Sequence, residues 1–161
     1  RLCSSAASDV YKRQVAEARR ALSIPVLVNG DIEDAQSAAQ ALRDSYADGL
    51  MIGRGAIGQP WIFQVLAGGE EPSVAQRLHI MCEHLDHMHK FYGLQQGVRI
   101  ARKHVQAYLR RLNAAALIAD FMRLDTAFAQ LTWLGALTES TILEQQTLAV
   151  TRPLAVNSHS G

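Results

Sequence analysis

The order of periodic segments along the 161 residues predicts an α/β unit with parallel strands, followed from about residue 69 by an all-helical unit. Three observations carry this reading. Two short apolar runs, Pro25–Val28 and Gly49–Ile52, each end in a polar loop that contains glycine. A helical pattern lies between them, and strand, helix and strand within about thirty residues make a βαβ unit whose crossover sets the strands parallel. Beyond the turn-rich stretch Ala67–Pro72, apolar residues recur only at helical spacing.

In chain order, Val15–Leu22 is helical and is stopped by Ser23 and Pro25, because proline drives the preceding residue out of the helical region. Pro25–Val28 is continuously apolar, as expected of a strand covered on both faces. Asn29, Gly30 and Asp31 end it. Asp34 is placed to cap a helix running to about Ser45, with Ala35, Ala38, Ala39 and Leu42 on its apolar face. Gly49–Ile52 is the second strand and ends at Gly53. After Trp61–Leu66 and the break, Ser73 and Gln76 match a capping box for a helix over Val74–Tyr92, striped by Leu78, Met81, Cys82, Leu85 and Met88. Further helices are expected over about Gln96–Leu112, Ala114–Met122 and Thr126–Leu137, and residues 138–161 are expected to form a flexible tail. Two strands alone make a poor α/β domain, since a parallel sheet needs covered faces and paired edges, so the amino-terminal portion reads as truncated.

Composition narrows the classes. With 48% hydrophobic and 19% charged residues the chain is globular, which excludes disordered, collagen-like and highly charged coiled-coil sequence. The formal charge is only +1, so attraction to nucleic acid has to come from local clustering. Cys3 and Cys82 are too few for a disulfide framework or a four-cysteine zinc site, and point to a reducing, cytoplasmic setting. No apolar run approaches the roughly 18 residues of a membrane span. Residues 1–14 lack the apolar centre of a secretory signal and join no periodic segment; they resemble read-through leader sequence and are set apart as non-native.

Gly53-Arg54-Gly55-Ala56-Ile57-Gly58 fits the G-x-G-x-x-G pattern between a strand and a helix. A dinucleotide-binding unit would need another parallel strand ending near an acidic residue, yet Glu70 and Glu71 fall in a turn before helices. Glycines serving tight turns alone are one alternative. The favoured reading is a phosphate cradle, in which glycines admit backbone N–H groups to an anion and Arg54 adds a fixed positive charge. Phosphate sites in (β/α)8 barrels are built from the loops after the last two strands, a part these two loops can play.

His79, Glu83 and His87 share a polar helix face at a spacing a metal could use. No further ligand cluster accompanies them, so a solvated face is favoured and no metal is assigned, with His89 at the edge of the core. From Lys90 to Ala119 there are six Lys or Arg and no acidic residue. There Val98, Ala101, Val105, Tyr108, Leu109 and Leu112 make a buried stripe, leaving Arg99, Lys103, Gln106 and Arg110 along one outer edge, flanked by Arg102 and His104. Such a row either tracks a phosphate backbone or is a solvated basic face. Trp61 and Trp133 read as core.

Three blocks together carry a resemblance: Ile24–Ile32 (IPVLVNGDI), Ala47–Ala56 (ADGLMIGRGA) and Gly58–Phe63 (GQPWIF). They resemble the end of the barrel in bacterial tRNA-dihydrouridine synthases, the B-type most nearly. Downstream, Phe91-Tyr92-Gly93 and Gly97–His104 (GVRIARKH), followed by Tyr108-Leu109, resemble that family's carboxy-terminal helical domain.

The resemblance implies an NADPH-dependent flavin oxidoreductase that holds FMN and reduces uridines in tRNA to dihydrouridine, with hydride delivered to uracil C6 and a proton to C5. Residues 15–68 would then be the carboxy-terminal part of a (β/α)8 FMN-binding barrel, a truncated TIM barrel, and residues 69–137 a small helical bundle that binds tRNA. Asn29, Gly30 and Asp31 match the loop after the seventh barrel strand, and Gly53 and Arg54 the phosphate-gripping turn after the eighth. Arg99, Arg102, Lys103, His104 and Arg110 would face tRNA. The family's proton-donating cysteine and flavin-contacting lysine have no counterpart here, so no catalytic residue is assigned and the chain alone is expected to be inactive. As a full-length enzyme it is expected to be a cytoplasmic monomer. A free-standing helical RNA-binding module, and another FMN- or phosphate-binding barrel enzyme, are the alternatives.

Overall fold

In a computed structural model, residues 14–151 are described, with side chains through residue 142. The proposed leader and residues 152–161 of the expected tail lie outside the described residues. The chain divides into two compact units. One comprises residues up to Pro72 together with Gln106–Asn113; the other comprises Ser73–Val105 and the chain from Ala114.

The first unit opens with helix α1 (residues 14–21), strand β1 (Leu27–Asn29), helix α2 (Ala35–Ser45) and strand β2 (Gly49–Met51). The strands pair in parallel, Leu27 opposite Gly49 and Asn29 opposite Met51. Asp34 caps α2 by accepting from the Ser37 N–H at 2.7 Å, while the Ser37 hydroxyl accepts from the Asp34 N–H at 3.0 Å. Two orphan donors of the first turn are thereby satisfied reciprocally. Val15, Val28, Ile32, Ala38 and Ala41 are buried together, and Val26, Leu50, Ile52 and Leu66 pack against them. Burial on both faces of the strands was the expectation; instead Leu27 and Met51 are more than half exposed on the face opposite Val28. Side chains alternate across a strand, and α2 covers one face of this two-stranded sheet.

Asp48 ties the entry to the sheet, accepting from the Val26 N–H at 2.8 Å and from Arg19 Nη2 at 2.8 Å. The Val26 N–H first, and then Arg19, hold its carboxyl below the usual range. After β2 the chain makes a 3-10 turn (Arg54–Ala56) and a short helix α3 (Ile62–Leu66). Gly58, at φ +79°, lies against the last turns of the helix Leu94–Arg111: a Cβ there would fall 2.6 Å from the carbonyl carbon of Ala107. Trp61 is buried beside Tyr108, ring centroids 6.1 Å apart.

The second unit is helical: α4 (Val74–Tyr92), α5 (Leu94–Arg111, to Val105 in this unit), a 3-10 turn (Ala115–Leu117), α6 (Ile118–Met122) and α7 (Ala127–Thr151). Ser73 and Gln76 form the expected capping box of α4. The buried residues are Leu78, Met81, Leu85 and Met88 of α4, Val98, Ala101 and Val105 of α5, Phe121 of α6 and Leu134 of α7. Trp133 packs edge-on against Phe121, centroids 5.3 Å apart. Inside this apolar set Gln130 Oε1 lies 2.9 Å from His89 Nε2, and Gln130 Nε2 donates to the carbonyls of Val98 and Leu124 at 3.3 Å. A buried amide is tolerated because its hydrogen-bonding groups are satisfied. His89 is thus buried, not at the edge of the core.

The helix expected to stop near Leu137 continues to Thr151, so residues 138–151 are helix rather than tail. The reason is local: no glycine or proline interrupts the chain between Gly135 and Pro153. Among the described residues no helix is long and apolar enough to cross a membrane.

Candidate functional site

The loops after β1 and β2 leave the same end of the sheet, the carboxyl ends of parallel strands, where α/β folds bind ligands. They pack backbone to backbone. A Cβ on Gly55 would fall 1.8 Å from the carbonyl oxygen of Ile32, so only glycine permits this approach. Gln59 Nε2 bridges the loops, donating to the carbonyls of Glu33 and Gly55 at 2.7 Å each. Arg111 reaches the same place, 3.7 Å from the Glu33 carboxylate.

Between these loops is a cleft of about 270 Å³, and Asn29, Gly30, Asp31, Gly53 and Arg54 all line it. The five residues expected at a phosphate site are therefore gathered at one place. Gly30, at φ +138°, has open space where a Cβ would stand, and so does Gly53. The 3-10 turn bonds the Ala56 and Ile57 N–H groups to the Gly53 and Arg54 carbonyls, leaving the N–H groups of Arg54 and Gly55 without a partner inside that turn. The Arg54 side chain is 90% exposed and meets Asp31 Oδ1 through Nη2 at 3.2 Å. A guanidinium has five donors, so an anion can still be engaged while that contact persists. Bare backbone, open space and a guanidinium with spare donors suit a phosphate monoester. Sequence reading missed Glu33 and Gln59 as builders of this cleft, because their partners are backbone carbonyls and an arginine distant in sequence. Gly55 was visible as the second glycine of the G-x-G motif.

On the second unit, Arg99, Lys103 and His104 line a shallow groove on α5 with Gln95, Gln96 and Ile100. Arg99 and Lys103 are exposed. The His104 ring meets His84 of α4 edge-on, centroids 5.1 Å apart. Burial, with His104 and His87 adding like charge, depresses the pKa of His84, and burial with Lys103 nearby depresses that of His104. Arg102, expected to flank the row and face tRNA, instead donates through Nη2 to the Leu124 carbonyl at 3.0 Å. That carbonyl lies just past the end of α6, where helical partners are lacking. Arg110 is exposed among the residues that cluster with the first unit. The glutamines were not singled out from sequence, although 95/96, 99/100 and 103/104 recur at the i, i+4 spacing of one helix face.

Elsewhere, His79 Nε2 lies 3.5 Å from Glu83 Oε1, and no group of three metal-ligating side chains occurs among the described residues. Cys82 is half-buried 3.8 Å from the Thr138 hydroxyl, and burial pushes its thiol up, away from a reactive thiolate. Cys3 lies outside the described residues.

A glycine-lined cleft at the ends of two parallel strands, joined in sequence to a helical unit, makes this an α/β protein with an added helical module. Residues 2–142 match the family model described as dihydrouridine synthase. That match takes in most of residues 1–14, which sequence analysis had set apart. The chain is 46% identical over 125 residues to tRNA-dihydrouridine synthase B of Xanthomonas axonopodis pv. citri, covering 73% of this chain and 38% of that protein. It is 41% identical over 99 residues to the protein of the same name from Pasteurella multocida, covering 57% and 30%. With a probable tRNA-dihydrouridine synthase of Rickettsia conorii it shares 43% identity over 109 residues, covering 63% and 33%. The chain belongs to the dihydrouridine synthase family, and it spans about a third of the length of these curated relatives.

Proposed function

We propose that this chain is the carboxy-terminal portion of a B-type tRNA-dihydrouridine synthase, an FMN- and NADPH-dependent oxidoreductase that reduces uridine in tRNA. Residues 15–68 supply the last βα units of its TIM barrel, and residues 69–137 its tRNA-binding helices. The observation that carries the reading is the convergence of Asn29, Gly30, Asp31, Gly53 and Arg54 on one cleft. The lining suits the phosphate of FMN: Arg54 would supply a charge-assisted hydrogen bond, and the open sides of Gly30 and Gly53 would leave room for its oxygens. Bound FMN supplies the hydride that reduces the uracil ring. The chain's own residues grip and orient, and none of them is assigned the proton donation. Arg99, Lys103 and Arg110 meet the tRNA backbone, and Arg102 and His104 shape that surface.

The test is a chimaera in which residues 15–137 replace the matching segment of the Xanthomonas relative, assayed for dihydrouridine in tRNA lacking it. The chimaera is expected to retain flavin and restore the modification. Arg54→Ala should weaken flavin binding by about 1.5–3 kcal/mol, roughly ten- to a hundredfold or more, through loss of the charged contact. Flavin retained through dialysis by the Arg54→Ala chimaera would refute the phosphate assignment.

A further inference from the structure

Resting on the reading of α5 as an RNA-contacting helix, we propose that the corner between α4 and α5 is a stacking site for one unpaired base, with Phe91 as its platform and the α5 groove holding the adjoining phosphates. Phe91 is 80% exposed, and Leu94, three residues on, is 70% exposed. The Phe91 ring is braced edge-on by Tyr92, centroids 4.9 Å apart, which leaves it standing clear of the core. Gly93 turns the chain at φ +77°, and Gly97 brings α5 so close to α4 that a Cβ there would lie 2.9 Å from His89 Cα. The corner is thus fixed by close backbone packing, and the groove of Gln95, Gln96, Arg99, Ile100, Lys103 and His104 begins in the first turn beyond it.

The occupant follows from chemistry. An exposed aromatic face accepts any base, because every base has a π-face. Arg99 and Lys103 form no ion pair among the described residues, whereas Lys90 beside Phe91 is paired with Asp86, so the two free cations of the groove are the ones that can meet an anion. Gln95 and Gln96 offer both donors and acceptors to a base edge. A planar group beside successive anionic groups is a nucleotide in a single strand; bases stacked within a duplex would not expose a face to Phe91.

The full chain is titrated with a ten-nucleotide single-stranded RNA carrying one 2-aminopurine, and with the same sequence as a duplex. Quenching of the probe is expected on binding the single strand. Phe91→Ala should lower single-strand affinity about tenfold, with the salt dependence unchanged and duplex binding untouched, whereas Phe91→Tyr should retain affinity. Lys103→Ala should instead reduce the salt slope by about 0.7. If Phe91→Ala binds the single strand as tightly as the parent while Lys103→Ala still lowers the slope, the stacking site is refuted and the RNA-contact reading stands. If neither change has any effect, that reading fails and the stacking site with it. Circular dichroism of each variant confirms its fold, and the exposure of both side chains predicts no loss of it.

Discussion

Substituting Gly55 by alanine tests whether the cleft is held by contact of the two loops. The added methyl would fall 1.8 Å from the Ile32 carbonyl oxygen, 3.0 Å from its carbon and 3.4 Å from Glu33 Cα. Every one of these is a backbone atom, so no side chain can rotate away. Because real Cβ contacts essentially never fall below 3.0 Å, the loops must part by at least about 1.2 Å, the difference from 1.8 Å. Overpacking of this kind costs about 1–3 kcal/mol. Separation also strains the two hydrogen bonds from Gln59, worth about 1 kcal/mol each. The expected loss is about 3–5 kcal/mol, a large fraction of the roughly 5–15 kcal/mol that a typical domain has. Urea unfolding followed by circular dichroism measures it, with Gln59→Ala as a second variant expected to lose about 1–2 kcal/mol. A Gly55→Ala protein within 1 kcal/mol of the parent would refute the packing argument and leave the cleft a chance apposition of loops.

Two further outcomes follow from the helical unit. His84 and His104 have folded-state pKa values below the ordinary 6.5, so as pH falls below about 6.5 the unfolded chain takes up protons first. Stability is therefore full above that pH and declines through the depressed values; melting temperatures between pH 8 and pH 5 should show a decline that His84→Gln with His104→Gln makes shallower, and an unchanged decline would show the pair is not its source. Replacing Gln130 by leucine removes the partner of the buried His89 and one donor to each of the Val98 and Leu124 carbonyls, the latter still held by Arg102; it should cost about 1–3 kcal/mol in urea unfolding, and a neutral result would mean water replaces the amide.

Local chemistry made much of this protein legible from sequence. The caps at Asp34 and Ser73, the helical stripes and the parallel βαβ crossover depend on neighbours a few residues apart, and they stand in the structure. Glycine and arginine in the two loops after the strands pointed to the cleft for the same reason: a strand end fixes where its loop emerges. The resemblance to the dihydrouridine synthases was legible too, because it resides in contiguous blocks that the family match spans.

What sequence did not determine depends on partners far along the chain. The inward commitment of Arg102 needed the position of Leu124, and the buried His89–Gln130 pair needed α7 laid beside α4. Periodicity counts apolar residues and assigns polar ones to the surface, so it could not foresee a histidine paired with Gln130 in the core. Gly55 and Gly58 show the division most plainly. Their identity was in the sequence, but the backbones of Ile32 and Ala107 that forbid any larger residue were brought to them only by the tertiary fold.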